Sequence, residues 1–151
     1  MSQLSYSLYQ AAGFKGKLAD LTNNDVASYS AEAAVPFAAA VMLGTDKEKQ
    51  VLTATTAAAA IGFATATHTV EQTSAGVAQY AATETVNVLK RGRVWVETED
   101  AVVAGAVANL KISSGKLTDE AVAAGIEAFT QFSARFITGT TGAGLAIVEI
   151  K

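Results

Sequence analysis

Hydrophobic and polar residues alternate along much of this chain with a period of two, which indicates strands rather than helices. Short alternating stretches recur between clusters of Gly, Asn, Asp and Ser, as is typical of strands joined by turns. The strands predicted in this way cover residues 4–8, 26–30, 36–43 and 61–70. The lone proline begins the third of them, where a missing backbone N–H is tolerated. The pattern therefore predicts a mainly β protein.

Four further strands lie close enough in sequence to predict two hairpins. Residues 84–89 and 93–97 flank Lys90, Arg91 and Gly92, a short polar connection with the glycine that a tight turn favours. Residues 134–137 and 145–150 flank a loop rich in Gly and Thr. Many short strands separated by turn residues predict a jelly-roll-like β-sandwich or a small barrel.

Two segments leave helix and extended structure both open. Residues 54–60 are an alanine run with threonines, which suits a short helix or a loop. Residues 118–129 begin with a possible helix cap and carry apolar residues at spacings of four and three. Apolar residues in that segment also alternate, and Gly125 weakens a helix. We therefore expect at most one or two short helices.

Composition changes this picture by leaving the surface with little charge. The chain has 151 residues, the usual size of one domain, and it contains no cysteine. Charged residues make up 17% of it, below the roughly 25% of typical soluble domains. A chain that hides much of its surface against other subunits needs less charge for solubility. We therefore expect a symmetric homo-oligomer, either a homodimer or a homotrimer.

The charge balance and the first residues also limit the partners that we expect. The formal net charge is −3, and no basic stripe is present, so we expect no binding to nucleic acid. The first 20 residues lack the basic and apolar regions of a signal peptide. The most apolar segment, residues 53–67, is too short and too rich in Thr to span a bilayer. We expect no membrane partner and synthesis in a cytoplasm.

The residues that catalysis or metal binding needs are scarce. His68 is the only histidine, and no G-x-S-x-G sequence offers it a nucleophile. Glu97, Glu99 and Asp100 form the one tight acidic group, which suits calcium in principle but is more typical of a solvated strand end. Residues 139–144 lack the Gly-Lys-Ser/Thr ending of a phosphate-binding loop. We expect a protein that is not an enzyme and has no cofactor or metal site.

Interface residues are predicted mainly in an extended N-terminal segment, residues 1–18, which precedes a single β-rich domain over residues 19–151. Apolar side chains alternate at the start of this segment, a pattern that suits pairing with a neighbour's strand edge. Phe14 lies between Gly13 and Gly16, which permit a bend or a close backbone approach. Trp95 suits equally the core of a two-sided sheet or an interface anchor. The candidate capsid or subunit interface residues are Leu4, Tyr6, Leu8, Phe14 and Trp95.

Three strings of the sequence together resemble one family. Residues 12–20, AGFKGKLAD, are similar to the opening of the structural cement proteins of tailed bacteriophages. Residues 86–96, VNVLKRGRVWV, resemble a central string of that family. Residues 134–138, ARFIT, and 144–150, GLAIVEI, resemble its ending. The strings fall in the same order as in the family and nearly span the chain.

The resemblance implies a virion structural protein, a cement or decoration protein on the outer surface of a phage capsid. Such a protein bridges neighbouring copies of the major capsid protein and stabilises the shell. Proteins of this kind are β-rich, often jelly-roll-like, and occur as dimers or trimers. Two other interpretations stay open: another virion component, such as a head-completion or tail protein, and a β-barrel module that binds a sugar or small ligand.

Overall fold

A computed structural model describes residues 13–21, 23–67 and 78–151, and it confirms a mainly β fold with a closed barrel. Within these ranges lie twelve strands and one short 3-10 helix, η1. The strands are β1 (Asp25–Ala31), β2 (Val35–Pro36), β3 (Ala40–Leu43), β4 (Gln50–Thr53), β5 (Ala60–Ala64), β6 (Gln79–Tyr80), β7 (Thr85–Thr98), β8 (Asn109–Lys111), β9 (Leu117–Thr118), β10 (Ile126–Ala128), β11 (Ala134–Phe136) and β12 (Gly144–Ile150), and η1 covers Ala57–Ala59.

The 14-residue strand β7 organises the fold. At about 3.3 Å per residue it is about 45 Å long, enough to serve two barrels in succession. Its first half belongs to a five-stranded ring in the order β1-β4-β3-β5-β7, which the pairing of β1 with β7 closes. We call this ring the first barrel. It resembles the small barrel that the alternation predicts.

The second half of β7 belongs to a less regular ring, which we call the second barrel. On one side β7 pairs with β12, which pairs with β11. Residues 106–108 then run antiparallel to β11, joined by the bridge between Val107 and Arg135, and lead into β8. Strand β9 pairs with β8 and returns to β7 through the single pair Thr98 and Leu117.

A β-bulge at Lys90 lets one strand serve two cores. Asp25 of β1 pairs with Arg91 and Val26 pairs with Leu89, so Lys90 has no partner residue in the ladder. One extra residue reverses which face the following side chains occupy. Before the bulge, Val86 and Val88 point into the core of the first barrel. Beyond it, Val94 and Val96 belong to the core of the second barrel although they too are even-numbered.

A layer of aromatic rings lies in the core of the second barrel, against strand β5 of the first. Phe63 of β5 is fully buried and contacts Phe129 and Phe132 edge to face, with ring centroids 5.5 and 5.9 Å apart. The core of the first barrel comprises Ala31, Val35, Phe37, Val41, Val51, Ala64, Tyr80, Val86 and Val88. The core of the second barrel includes Leu89, Val94, Val96, Leu110, Leu117, Phe136, Val148 and Ile150, together with Phe63.

The structure confirms one predicted hairpin and corrects the other. Strands β11 and β12 form the predicted C-terminal hairpin. The hairpin predicted around Lys90, Arg91 and Gly92 is wrong, because the chain runs straight through as β7. Each half of β7 has its own antiparallel partner, β1 or β12, so neither half pairs with the other. Gly92, at φ +131°, lies next to a bulge rather than in a turn.

Four other segments contain short elements. The strand predicted over residues 36–43 is divided into β2 and β3, because Ala38 adopts a left-handed φ of 64° between them. Of the strand predicted over residues 61–70, β5 is observed, and residues 68–70 lie outside the described residues. The undecided segments contain η1 over Ala57–Ala59 and, in residues 118–129, strand β10 instead of a helix.

Candidate functional site

Residues 16–19 lie at the junction of the two barrels, along the edge of β7 between β5 and β9. The Gly16 amide donates to the Trp95 carbonyl at 2.7 Å, and the Trp95 amide donates to the Lys17 carbonyl at 2.9 Å. The Ala19 amide donates to the Arg93 carbonyl at 2.9 Å. On its other side the Gly16 carbonyl accepts from the Ala66 amide at 2.7 Å. The C-terminal part of the predicted extended segment is thus hydrogen-bonded into the sheet.

Two of the five predicted interface residues lie at this junction. A Cβ added at Gly13 would overlap the Trp95 indole, so the backbone lies directly over the ring and only glycine fits there. Trp95 is half-buried, and Phe14 is 48% exposed. At the junction, therefore, the backbone next to Phe14 contacts Trp95 on the outer face of the second barrel. Leu4, Tyr6 and Leu8 lie outside the described residues.

Ion pairs hold the junction from its outer side. Arg93 Nη1 lies 3.3 Å from Asp20 Oδ2, and Arg93 Nη2 lies 3.0 Å from Glu149 Oε1. Lys151 Nζ is 2.9 Å from the other oxygen of Glu149. Hydrogen bonds from Lys151 and then from Arg93 lower the pKa of the Glu149 carboxyl below 4.5. The network links Asp20, just beyond the N-terminal segment, to β7 and β12 by charge.

The acidic group considered for calcium is paired with lysines. Lys111 Nζ lies 3.9 Å from Glu99 and 3.6 Å from Asp100, while Lys15 Nζ lies 3.7 Å from Glu97. Across the described ranges, no three His, Cys, Asp or Glu side chains are grouped closely enough to hold a metal ion. His68 lies outside those ranges. The arrangement of these carboxylates is that of a solvated ion-pair cluster at the strand end.

The structure also shows a surface that the sequence analysis did not single out. Residues 101–107 and 137–144 form adjoining loops beside the C-terminal end of β7, because Gly144 pairs with Thr98. Val103 is 67% exposed, Val107 50% and Ile137 37%. In the sequence, the two loops fall within stretches that lack charged residues, 101–110 and 136–148. Loop residues show no periodicity, so a search for alternation passes over them.

No helix in the described part of the chain is long and apolar enough to cross a membrane. One groove lies at the junction, and its lining residues are Asp20, Asn23, Arg91, Gly92, Arg93, Glu149, Ile150 and Lys151. What the geometry offers is a rigid two-barrel body with surfaces for contact. Such a body defines a class of small β-barrel structural proteins.

Comparison with known proteins narrows this class. The family model described as "Structural cement protein (E217 gp24/Pam3 gp6)" matches residues 2–151. This chain therefore belongs to the family of phage structural cement proteins, and it is a virion structural protein.

Among solved structures, the chain is similar to one from "The capsid of Myoviridae Phage XM1", with a TM-score of 0.70 and 16% sequence identity. The similarity covers 98% of this chain and 96% of that chain. At this level of identity the likeness shows the fold. The search of curated proteins found no match.

Proposed function

We propose that this protein binds the outer surface of a phage capsid and stabilises the shell by bridging neighbouring copies of the major capsid protein. The observation that carries the proposal is the rigid construction of the body, in which one strand, β7, belongs to both barrels. A bridging protein transmits load between two contacts, and two barrels on a continuous strand do not swivel about a linker. Many copies acting together stabilise a shell although each contact is modest.

The experiment compares heads that carry the protein with heads from a phage lacking its gene. Adding the purified protein should raise the temperature at which the deficient heads release DNA or break open. Immunogold electron microscopy should locate the protein over the shell. Label at the tail or the portal vertex would favour a tail or head-completion protein, and unchanged head stability despite full occupancy would contradict the cement role.

We propose that the protein acts as a homodimer or homotrimer and performs no catalysis. The low charged fraction, 17%, supports buried subunit surface. Light scattering at micromolar concentration measures the mass, and a monodisperse monomer would contradict assembly in solution. Hydrolytic turnover that His68→Ala abolishes would contradict the absence of catalysis. We expect binding to neither nucleic acid nor membranes, and synthesis in the host cytoplasm.

We further propose that the start of the chain, with Leu4, Tyr6, Leu8 and Phe14, contacts capsid or a partner subunit, and that Trp95 supports it. The hydrogen bonds of Gly16 and Lys17 to Trp95 support this by fixing where the segment leaves the body. Deleting residues 1–10 should leave the melting temperature almost unchanged and weaken attachment to deficient heads. Changing Leu4, Tyr6 and Leu8 to serine keeps the length and tests the side chains. Unfolding of the truncated protein, or binding equal to the full chain, would contradict this role.

A further inference from the structure

The loops beside the two ends of β7 differ in the number of charged residues that they carry. Beside the Thr85 end, the turn over residues 44–49 carries four charged side chains, and Glu32 accepts hydrogen bonds from the Thr45 amide and hydroxyl at 2.7 and 2.8 Å. Glu84 adds another charge in the turn that precedes β7. Beside the Thr98 end, the loops over residues 101–107 and 137–144 contain no charged residue. We call the exposed surface of these two loops the Val103 face.

The Val103 face is held in place by hydrogen bonds between its two loops. The Thr140 amide donates to the Val102 carbonyl at 2.9 Å, and the Val102 amide donates to the Thr140 hydroxyl at 3.2 Å. The Gly105 amide donates to the Phe136 carbonyl at 2.7 Å. The exposed side chains are therefore held in a fixed arrangement. A fixed apolar surface loses little conformational entropy when a partner covers it.

Charged groups lie at the rim of the Val103 face, and two of them bond the backbone of its loops. Arg135 Nη1 donates to the Gly105 carbonyl at 3.2 Å, and Asp119 Oδ2 accepts from the Val103 amide at 2.9 Å. Asp100 is paired with Lys111. An apolar centre with a polar rim is the usual anatomy of a protein–protein interface. The two loops themselves bring no charged side chain into a contact, whereas the turn at the Thr85 end would bring several.

We infer that the Val103 face is the surface that contacts the capsid shell, and that its occupant is an uncharged patch of the major capsid protein. The inference rests on the proposed function and adds the orientation of the molecule on the shell. The occupant is expected to be uncharged, because the loop residues themselves offer no oppositely charged side chain to a charged group placed over them. Charge also decides the orientation, since the Thr85 end remains hydrated when it faces outwards.

Gly142, in the loop over residues 137–144, offers a direct test. A Cβ added there meets nothing within 4 Å, so an arginine at this position adds a charge to the Val103 face without a clash at its Cβ. Ala33, exposed near the Thr85 end, is the matched control for the same added side chain. Val103→Lys is a second variant, at an exposed position on the same face. The melting temperature of each variant reports whether it is folded.

The experiment measures binding of each variant to heads from a phage lacking the gene for this protein. Gly142→Arg and Val103→Lys should weaken binding about tenfold or more, and Ala33→Arg should change it less than about twofold. Unchanged binding of Gly142→Arg, or a loss confined to Ala33→Arg, would overturn the orientation. If the variants reduce self-association in light scattering and bind heads normally, the occupant is a second copy and the inference is wrong. If the unaltered protein does not bind heads, the proposed function itself fails.

Discussion

The two barrels share β7 but close in different ways. In the first barrel, β1 lies against β7 through six registered residue pairs and completes a regular ring. In the second barrel, β9 meets β7 at one pair, and residues 106–108 meet β11 through the bridge at Val107. The two rings therefore differ in how many ladder pairs close them. Closure of the second barrel depends more on single contacts than closure of the first.

The cores of the two barrels also differ in composition. The first barrel buries Tyr80 completely, and its hydroxyl donates to the Thr65 carbonyl at 2.6 Å. Burial raises the pKa of Tyr80, so the ring remains a neutral donor over the usual pH range. The second barrel instead packs aliphatic side chains around Phe63, which belongs to β5 of the first barrel. The barrels are thus different in construction but joined by the shared strand β7 and by the ring that β5 contributes to the second core.

The largest expected effect tests whether the barrels unfold together. Phe63→Ala removes a fully buried ring that contacts Phe129 and Phe132, so we expect a loss of about 3–5 kcal/mol in the free energy of unfolding. Chemical denaturation followed by Trp95 fluorescence and by circular dichroism measures it. Val103→Ala, at an exposed position, is the control and should change stability by less than about 0.5 kcal/mol. Two separated transitions would show that the barrels unfold independently.

The next effect concerns the point at which β7 passes from one barrel to the other. Gly92 has φ +131°, and a Cβ there would overlap Asn24 Oδ1. Gly92→Ala should therefore cost about 3 kcal/mol in stability. Gly115 also has a left-handed φ, +69°, but open space around it, so Gly115→Ala should cost only about 1 kcal/mol. Equal losses in thermal denaturation would mean that close packing at Gly92 adds nothing to the backbone strain.

The passage at Lys90 also explains which parts of the fold the sequence predicts. Alternation identifies β12 and both halves of β7, because each has one buried face. It also identifies β1, in which the odd-numbered residues are the less exposed. It does not reveal the bulge, since even-numbered residues are buried on both sides of Lys90 although they face different cores. The glycine at position 92 then resembles a turn residue. Strands of two or three residues, such as β8 and β9, are too short to show any period.

The candidate site, too, could be predicted only in part from the sequence. The sequence identifies Gly13 as a possible bend and Trp95 as a candidate interface residue. Only the structure shows that the glycine backbone lies over the indole. The pairing of residues 16–19 with β7 joins positions almost 80 apart in sequence, which local patterns do not contain. The Val103 face carries no period, so its charge-free stretches acquire meaning only when the fold brings them together.

The smallest expected effect compares a carboxylate at the Thr85 end with one at the junction. Hydrogen bonds from the Thr45 amide and hydroxyl lower the pKa of Glu32, and those from Lys151 and Arg93 lower the pKa of Glu149. A carboxyl group with a lowered pKa in the folded state stabilises the fold above its ordinary pKa of 4.5. That contribution is lost as the pH falls through the lower, folded-state value.

Glu149→Gln should therefore reduce stability by less than about 1 kcal/mol at neutral pH, because the ion pairs are partly exposed and screened by solvent. The difference from the unaltered protein should disappear in acid, well below pH 4.5, where the glutamate is also neutral. Glu32→Gln should show the same pH dependence, but added salt should affect it less, since its partner is the uncharged Thr45. Denaturation curves across pH, at low and high salt, measure both variants. Equal salt sensitivity would mean that the charge network at the junction contributes no more than the neutral contact at the Thr85 end.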